Sequence, residues 1–224
     1  MEIETLSVTN SIVEYLRGKI IIGELPGGQR INENQLAPKL GISRPPMREA
    51  FRILEHEHVI VSIPRKGVYI KELSINDCRE VYQMREMLEC FAVDLLKAQN
   101  ISSLPEVFST LTSASVLSIP PDDNQDQRLN YLKIFADFHI KMVEATGNNR
   151  LDYFYKSIQS TLYRYQFLYL SLPGSGAHSL EEHHRILNLI AAGAYDEAKK
   201  ELKTHIIRMY ELLGDKMKES NIKD

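Results

Sequence analysis

Cysteine is scarce in this sequence, which also lacks a strong net charge and a long apolar run. Cys78 and Cys90 lie twelve residues apart in one stretch of helical pattern, so they cannot easily pair and we expect reduced core thiols. A formal net charge of −3 excludes a chain that binds polyanions over its whole surface. With no secretion signal and no apolar run of membrane-spanning length, we expect a soluble, cytoplasmic protein without a membrane partner. A chain of 224 residues suits two modest domains.

A short helix that begins with arginines is predicted directly after Ser43. Ser43 is a favourable N-cap, and Pro46 is tolerated in the first helical turn. Arg44 and Arg48 are one turn apart and lie on a different face from the apolar residues, which are Met47, Ala50, Phe51 and Leu54. Arginine can bond guanine O6 and N7 together, and helix N-terminal amides accept a phosphate. The pattern favours a helix that enters the DNA major groove, although the helix taken alone also fits a solvated face with incidental arginines.

The flanking segments favour the DNA-binding interpretation. A helix is predicted over residues 32–40 and ends at Gly41, which gives the order helix, glycine turn, helix of a helix-turn-helix. Two short β-prone runs, 59–63 and 68–70, flank the basic turn Arg65-Lys66-Gly67. The sequence therefore predicts a winged helix with a basic wing tip.

An ordered set of short motifs runs through residues 8 to 73: Gly23-Glu24-Leu25, Pro26-Gly27-Gly28-Gln29-Arg30-Ile31, Leu36-Ala37, Gly41-Ile42-Ser43-Arg44, Pro46-Met47-Arg48-Glu49-Ala50, Leu54-Glu55 and Arg65-Lys66-Gly67. In these motifs the segment resembles the DNA-binding domain of GntR-type transcription regulators. The resemblance implies that residues 1–73 form a domain that binds double-stranded operator DNA as part of a homodimer. We expect the DNA contacts to be made by Arg30, Ser43, Arg44, Pro46, Arg48, Arg65, Lys66 and Gly67.

The remainder of the chain, residues 74–224, is predicted to be an all-α bundle. Ser74 with Asp77 is typical of an N-cap and acidic first turn that open a long helix. Helices are expected over residues 74–99, 104–117, 127–145, 149–170, 180–192 and 195–217, with breaks at 120–123, 147–148, 173–176 and 193. The fold class is therefore mainly α: a winged helix followed by a helical bundle.

Three histidines lie on the apolar stripes of three different helices of this bundle. They are His139, His183 and His205. Unpaired polar groups are costly to bury, so three inward imidazoles need partners, and a shared metal ion is one such partner. Spacing alone slightly favours three separate core histidines, each satisfied by a backbone carbonyl or a water, because nothing local shows that the helices bring the rings together.

The segments around these histidines resemble the FCD effector domain found in one branch of GntR regulators. The matching segments are Phe138-His139, Ala145-Thr146-Gly147-Asn148, Glu182-His183, Ile186-Leu187, Ile190, Asp196-Glu197-Ala198 and His205-Ile206. The resemblance implies a divalent metal held by one aspartate and three histidines, which in turn helps hold a small carboxylate. Neutral imidazole nitrogens are ligands that suit zinc or nickel. Phe135 stands where that aspartate is usual. We therefore expect either a three-histidine site completed by water or effector, or a domain without tight metal binding.

Arg85 is the other candidate ligand-binding residue, since it lies on the apolar seam of its helix. An inward guanidinium needs an anion, which is either Glu89 one turn along or the carboxylate of an effector. Together these features predict a metabolite-responsive transcription regulator rather than an enzyme. Two alternatives remain open: a metal-dependent hydrolase that uses the three histidines, and a regulator whose helical domain only dimerises.

Overall fold

The computed structural model describes residues 2–116, 125–220 and 222, and the chain divides into two compact units, residues 1–73 and 74–224. The elements in chain order are α1 (Glu2–Ile21), β1 (Arg30–Ile31), α2 (Glu33–Lys39), α3 (Arg44–His56), β2 (Ile60–Ile63), β3 (Gly67–Ile70), α4 (Ile75–Ala98), α5 (Pro105–Val116), α6 (Gln125–Glu144), α7 (Asn149–Tyr169), α8 (Ser175–Ala191) and α9 (Tyr195–Glu219). The predicted fold class is confirmed. The predicted break at 120–123 lies outside the described residues. Over the described ranges, no helix combines the length and apolarity needed to cross a membrane.

The helix-turn-helix of the first unit follows from its caps and its turn. The Asn32 side chain accepts a hydrogen bond from the Asn34 amide at 2.8 Å and starts α2. Gly41, with φ of +66°, makes the left-handed turn before α3. Met47 and Leu54 of α3 are completely buried in a core that includes Leu16 of α1. This packing leaves the other face of α3 in solvent.

The wing is a three-stranded antiparallel sheet in the order β1-β3-β2. Ser62 of β2 lies opposite Val68 of β3, as expected for the predicted hairpin. Sequence reasoning missed β1, a strand of only two residues, in which Arg30 pairs with Tyr69. The extra strand places Arg30 beside the basic turn.

The second unit is a bundle of six helices among the described residues. Ser74 caps α4 by accepting a hydrogen bond from the Asp77 amide at 3.1 Å, as predicted. Helix α8 begins at Ser175, five residues before its predicted start, because Gly174 takes the left-handed conformation (φ +74°) as its N-cap. Both cysteines are free; Cys78 is buried, whereas Cys90 is only partly buried.

Candidate functional site

The exposed face of α3 carries the arginines predicted to meet DNA. Arg44 is the first residue of the helix, Arg48 lies one turn further, and both are exposed. Ser43 is the N-cap, although its side chain makes no capping hydrogen bond. Pro46 is buried on the apolar face, which disfavours its predicted contact with DNA.

The structure brings the predicted phosphate-binding residues together at the wing. A Cβ added to Gly67 would lie 2.8 Å from Nε of Arg30, so the guanidinium lies directly on the turn backbone. Arg65 has a φ of +64° and Gly67 one of +112°, which produces a tight turn. The Tyr69 hydroxyl donates to the carbonyl of Lys66 at 3.3 Å and braces this turn. The basic residues thus share one tip of the sheet.

In the second unit the three predicted histidines converge. Nε2 of His183 lies 3.1 Å from Nε2 of His139 and 3.4 Å from Nε2 of His205. All three residues are buried, and one ligand atom from each lies within 4.8 Å of the others. The three come from α6, α8 and α9. The sequence placed each ring on an inward stripe, but only the packing of the helices shows that the rings meet.

Two of these histidines have a carboxylate next to Nδ1, the ring nitrogen that points away from the cluster. Nδ1 of His139 lies 2.8 Å from Glu89, and Nδ1 of His205 lies 2.7 Å from Glu182. Burial alone would raise the pKa of Glu182, but hydrogen bonds from His205 and Arg208 lower it to about 2. An ionised carboxylate only accepts hydrogen bonds, so Nδ1 of His205 carries the proton and its Nε2 presents a lone pair. Nε2 of His139 faces the Arg85 guanidinium, which can only donate, so it presents a lone pair as well. This arrangement matches the outer-shell support that metal-bound histidines usually have.

His183 is oriented by aromatic rings instead. Its ring stacks on Phe138 with centroids 4.3 Å apart and meets the ring of Phe135 edge-on at 5.2 Å. Its Nδ1 is buried and has no hydrogen-bond partner in the described part of the chain. Burial lowers the pKa of all three histidines, that of His139 to about 4, so the rings are neutral at physiological pH.

The histidines present fit a metal ion. Without a metal ion, Nε2 of His139 accepts from Arg85 and Nε2 of His183 can donate to Nε2 of His205, while the buried Nδ1 of His183 has no partner in the described part of the chain. A metal ion would instead take all three Nε2 atoms as ligands. A tetrahedral zinc bound to imidazole nitrogens separates them by roughly 3.4 Å. The two Nε2 separations involving His183, 3.1 and 3.4 Å, are close to that value. Three neutral imidazoles are ligands suited to zinc or nickel.

Arg85 belongs to a fully buried network next to the histidines. Its Nε donates to Glu89 Oε1 at 2.7 Å, and the same oxygen accepts from the Tyr155 hydroxyl at 2.7 Å. Burial alone would raise the pKa of Glu89, but the charge of Arg85 and then His139 lower it well below its usual range. The protein carboxylate is therefore the present partner of Arg85, and the guanidinium charge is already neutralised.

The other edge of this guanidinium donates to one histidine and faces a thioether sulfur, which is a weak acceptor. Nη2 of Arg85 donates to Nε2 of His139 at 2.7 Å, and Nη1 lies 3.5 Å from the sulfur of Met209. A metal ion would need the same lone pair of His139. Metal binding would therefore release the terminal Nη edge of Arg85.

A small cavity borders Arg85 and the histidines. Its other lining residues are Leu132, Phe135, Gln166, Tyr169, Leu170, Ser179 and Met209. The space holds about one water-sized body. Sequence reasoning missed Gln166, whose Oε1 is buried without a hydrogen-bond partner among the described residues.

A winged helix followed by a helical bundle with a buried, three-histidine pocket defines a DNA-binding regulator with a separate sensing domain. The sequence profile for bacterial regulatory proteins of the gntR family matches residues 8–70, and the FCD domain profile matches residues 80–208. The chain belongs to the GntR family, in the branch with an FCD domain, and is a DNA-binding transcription regulator.

Relatives and solved structures agree with this assignment. The chain is 28% identical to the HTH-type transcriptional regulator YdhC of Bacillus subtilis, over 85% of this chain and 84% of that protein. It is 25% identical to the gluconate operon transcriptional repressor of the same species, over 77% of this chain and 68% of the repressor. A GntR transcriptional regulator of Rhodococcus sp. RHA1 has the same fold, with a TM-score of 0.72 at 23% identity, over 92% of this chain and 97% of that structure.

Proposed function

We propose that this protein is a cytoplasmic homodimer that reads a short palindromic operator and releases or binds it in response to a small carboxylic acid. The observation that carries the proposal is the convergence of three histidine Nε2 atoms beside the Nη edge of Arg85. A divalent metal on the histidines would leave coordination positions for a carboxylate oxygen. Effector binding would change which half-site spacing the dimer prefers, since a dimer matches one spacing well.

On the DNA side, Arg44 and Arg48 contact base edges, while Arg30, Arg65 and Lys66 contact phosphates or the minor groove. The exposure of both α3 arginines and the grouping of the basic residues at the wing support this division. Base contacts determine sequence preference, and phosphate contacts determine affinity and its salt dependence.

The first experiment separates these two roles. Arg48→Ala should relax the preference for one base per half-site by about five- to a hundredfold, because a bidentate guanine contact is lost. The measurement is selection from a library of randomised DNA duplexes, followed by titration of the recovered sequence. Lys66→Ala is the control, and it should weaken binding to every duplex alike and flatten the salt dependence. An unchanged base preference in Arg48→Ala would remove the assigned role.

On the effector side, the pocket offers a cationic edge and an apolar wall. The Nη edge of Arg85, once a metal ion takes the lone pair of His139, suits a carboxylate, whereas Leu132, Phe135 and Leu170 line the cavity with hydrocarbon. The unpaired Oε1 of Gln166 is available to a hydroxyl or amine donor on the ligand. The ligand that fits is a short acid with an apolar portion, and it displaces pocket side chains on entry because the free space is small.

Hydrolysis at this site is disfavoured by the placement of the acidic groups. Glu89 and Glu182 contact the histidines at Nδ1, on the side of each ring opposite the Nε2 atoms. Neither carboxylate is therefore positioned to act as a general base for a water on a metal held by Nε2. The relatives are transcriptional regulators, which supports the same conclusion.

Dimerisation is proposed to use the exposed face of α4. Met84, Met87 and Phe91 are three and seven residues apart and share this face; Met87 is 56% exposed and Phe91 47%. A palindromic operator needs two copies of the single reading head, so a second copy of the chain is the natural partner for this apolar face.

Phe91→Glu should raise the dimer dissociation constant at least about tenfold, since it would bury a charge at the interface. Sedimentation equilibrium of the full chain measures this. The matched control is Phe108→Glu on α5, where an even more exposed phenylalanine lies outside the proposed face. A wild-type protein that stays monomeric with its selected duplex present would refute the dimer.

A further inference from the structure

Arg48, the central arginine of the proposed reading surface, is held by a carboxylate from the neighbouring helix. Nε of Arg48 lies 2.9 Å from both carboxylate oxygens of Glu33, and Nη2 lies 2.8 Å from Glu33 Oε1. Glu33 is the first residue of α2, directly after the N-cap Asn32. The carboxylate therefore engages one side of the guanidinium, formed by Nε and Nη2.

This contact leaves free the part of the guanidinium that DNA recognition needs. Both N–H groups of Nη1 and one of Nη2 have no partner in the pairing with Glu33. These donors form the end of the fork, which can bond guanine O6 and N7 together. The side chain of Arg48 remains 62% exposed, whereas that of Glu33 is only 21% exposed. The Glu33 side chain is thus largely buried, while the Arg48 side chain that it binds lies in solvent.

Folding stability accounts for an acidic residue in the first turn of α2, because it interacts favourably with the helix dipole, but not for its two-oxygen contact with Arg48. An ion pair with one largely exposed partner contributes little to stability. A negative charge next to a DNA-contacting residue also repels phosphates and weakens binding to every sequence. The geometry instead reduces the freedom of a long side chain before DNA arrives.

We infer that Glu33 is a positioning residue for base recognition, which holds the free edge of the Arg48 guanidinium toward the major groove. The inference rests on the proposed function, because it takes Arg48 as a base-reading residue. Glu33 would thus lower the affinity for DNA of any sequence and raise the preference for one base over the others.

The chain contains a matched control on the same helix as Arg48. Glu49 pairs with Arg52 at 3.3 Å, and both side chains are more than half exposed. Glu33→Gln and Glu49→Gln therefore each remove one negative charge near the reading surface. Only Glu33→Gln removes the carboxylate whose two oxygens bind the guanidinium of Arg48.

The experiment selects duplexes from a randomised library with the full-length wild type and then titrates single-base variants of the recovered sequence. In Glu33→Gln, the base preference that Arg48→Ala abolishes should fall at least about fivefold. Binding to unselected duplexes should stay equal or tighten, and the melting temperature should fall only slightly, because a first-turn charge on α2 is lost. Glu49→Gln should keep the base preference. In an Arg48→Ala background, Glu33→Gln should have no further effect on that base.

The outcomes separate this inference from the proposed function. If Arg48→Ala loses the preference while Glu33→Gln keeps it, Glu33 does not position the arginine, and the reading role of Arg48 stands. If Glu49→Gln loses the preference as strongly as Glu33→Gln, general charge and not positioning is the cause, and the inference is overturned. If Arg48→Ala keeps every base preference, the reading role fails and the inference fails with it.

Discussion

Glu89→Ala should lower the free energy of unfolding of the helical unit by about 3–5 kcal/mol, because it leaves the buried guanidinium of Arg85 without a counter-charge. Both side chains are completely inaccessible to solvent. The same carboxylate accepts the Tyr155 hydroxyl and lies against Nδ1 of His139. Its loss therefore also leaves the Tyr155 hydroxyl without its acceptor and removes the negative charge beside His139.

Urea unfolding followed by circular dichroism measures this loss. Glu86→Ala is the matched control, since Glu86 lies on the same helix and pairs with Lys203 at 2.7 Å at the surface. That variant should change stability by less than about 1 kcal/mol. A Glu89→Ala protein as stable as Glu86→Ala would show that Arg85 is satisfied in another way.

A double replacement tests the cause of the destabilisation. Arg85→Met with Glu89→Leu removes both charges and keeps the volume roughly constant. Such a variant should be more stable than Glu89→Ala, because a buried charge without a partner costs more than an apolar pair of similar size. If it is less stable than Glu89→Ala, packing and not charge dominates at this place.

The local parts of the fold were predictable because short sequence signals determine them. Gly41 ends α2, and the basic, glycine-containing turn makes the hairpin. Strand β1 was missed because two residues carry no pattern, and its pairing depends on β3. The start of α8 was missed because Gly174-Ser175-Gly176 is typical of a loop between helices, whereas the structure begins a helix at Ser175.

In the candidate sites, too, contacts within one helix were predictable and contacts between helices were not. Glu89 was one of the two anions predicted as the partner of Arg85, because residues four apart lie one helical turn from each other. Convergence of the histidines depends on how three helices pack, which spacing within each helix does not determine. The contact between Glu33 and Arg48 joins residues fifteen apart on separate helices, and nothing local in the sequence marks it.

Removal of one histidine ligand should weaken metal binding by more than about a hundredfold. His183→Ala tests this directly, because Nε2 of His183 lies within 3.4 Å of the other two Nε2 atoms. Loss of a supporting residue around a metal site already costs about 10–100-fold, so loss of a ligand costs more. Zinc and nickel content of the purified protein, and competition with a chromophoric chelator, measure the affinity. His184→Ala is the matched control, since its Nδ1 bonds the Leu180 carbonyl and its ring lies outside the cluster.

Phe135 gives the complementary test, since its ring lies against His183 where a fourth ligand would be useful. Phe135→Asp should raise metal affinity by adding a negative ligand one helical turn before His139, and Phe135→Asn should raise it less. The metal ion and the carboxylate should also increase each other's binding affinity, because the metal takes the His139 lone pair that now accepts from Arg85 and so frees the guanidinium for the carboxylate. Thermodynamic linkage requires the two affinities to rise by the same factor. Acetate and propionate affinities, measured by calorimetry with and without zinc, give that factor. If the protein takes up no divalent ion, and a chelator leaves its melting temperature and acid affinity unchanged, the three histidines serve only as core residues.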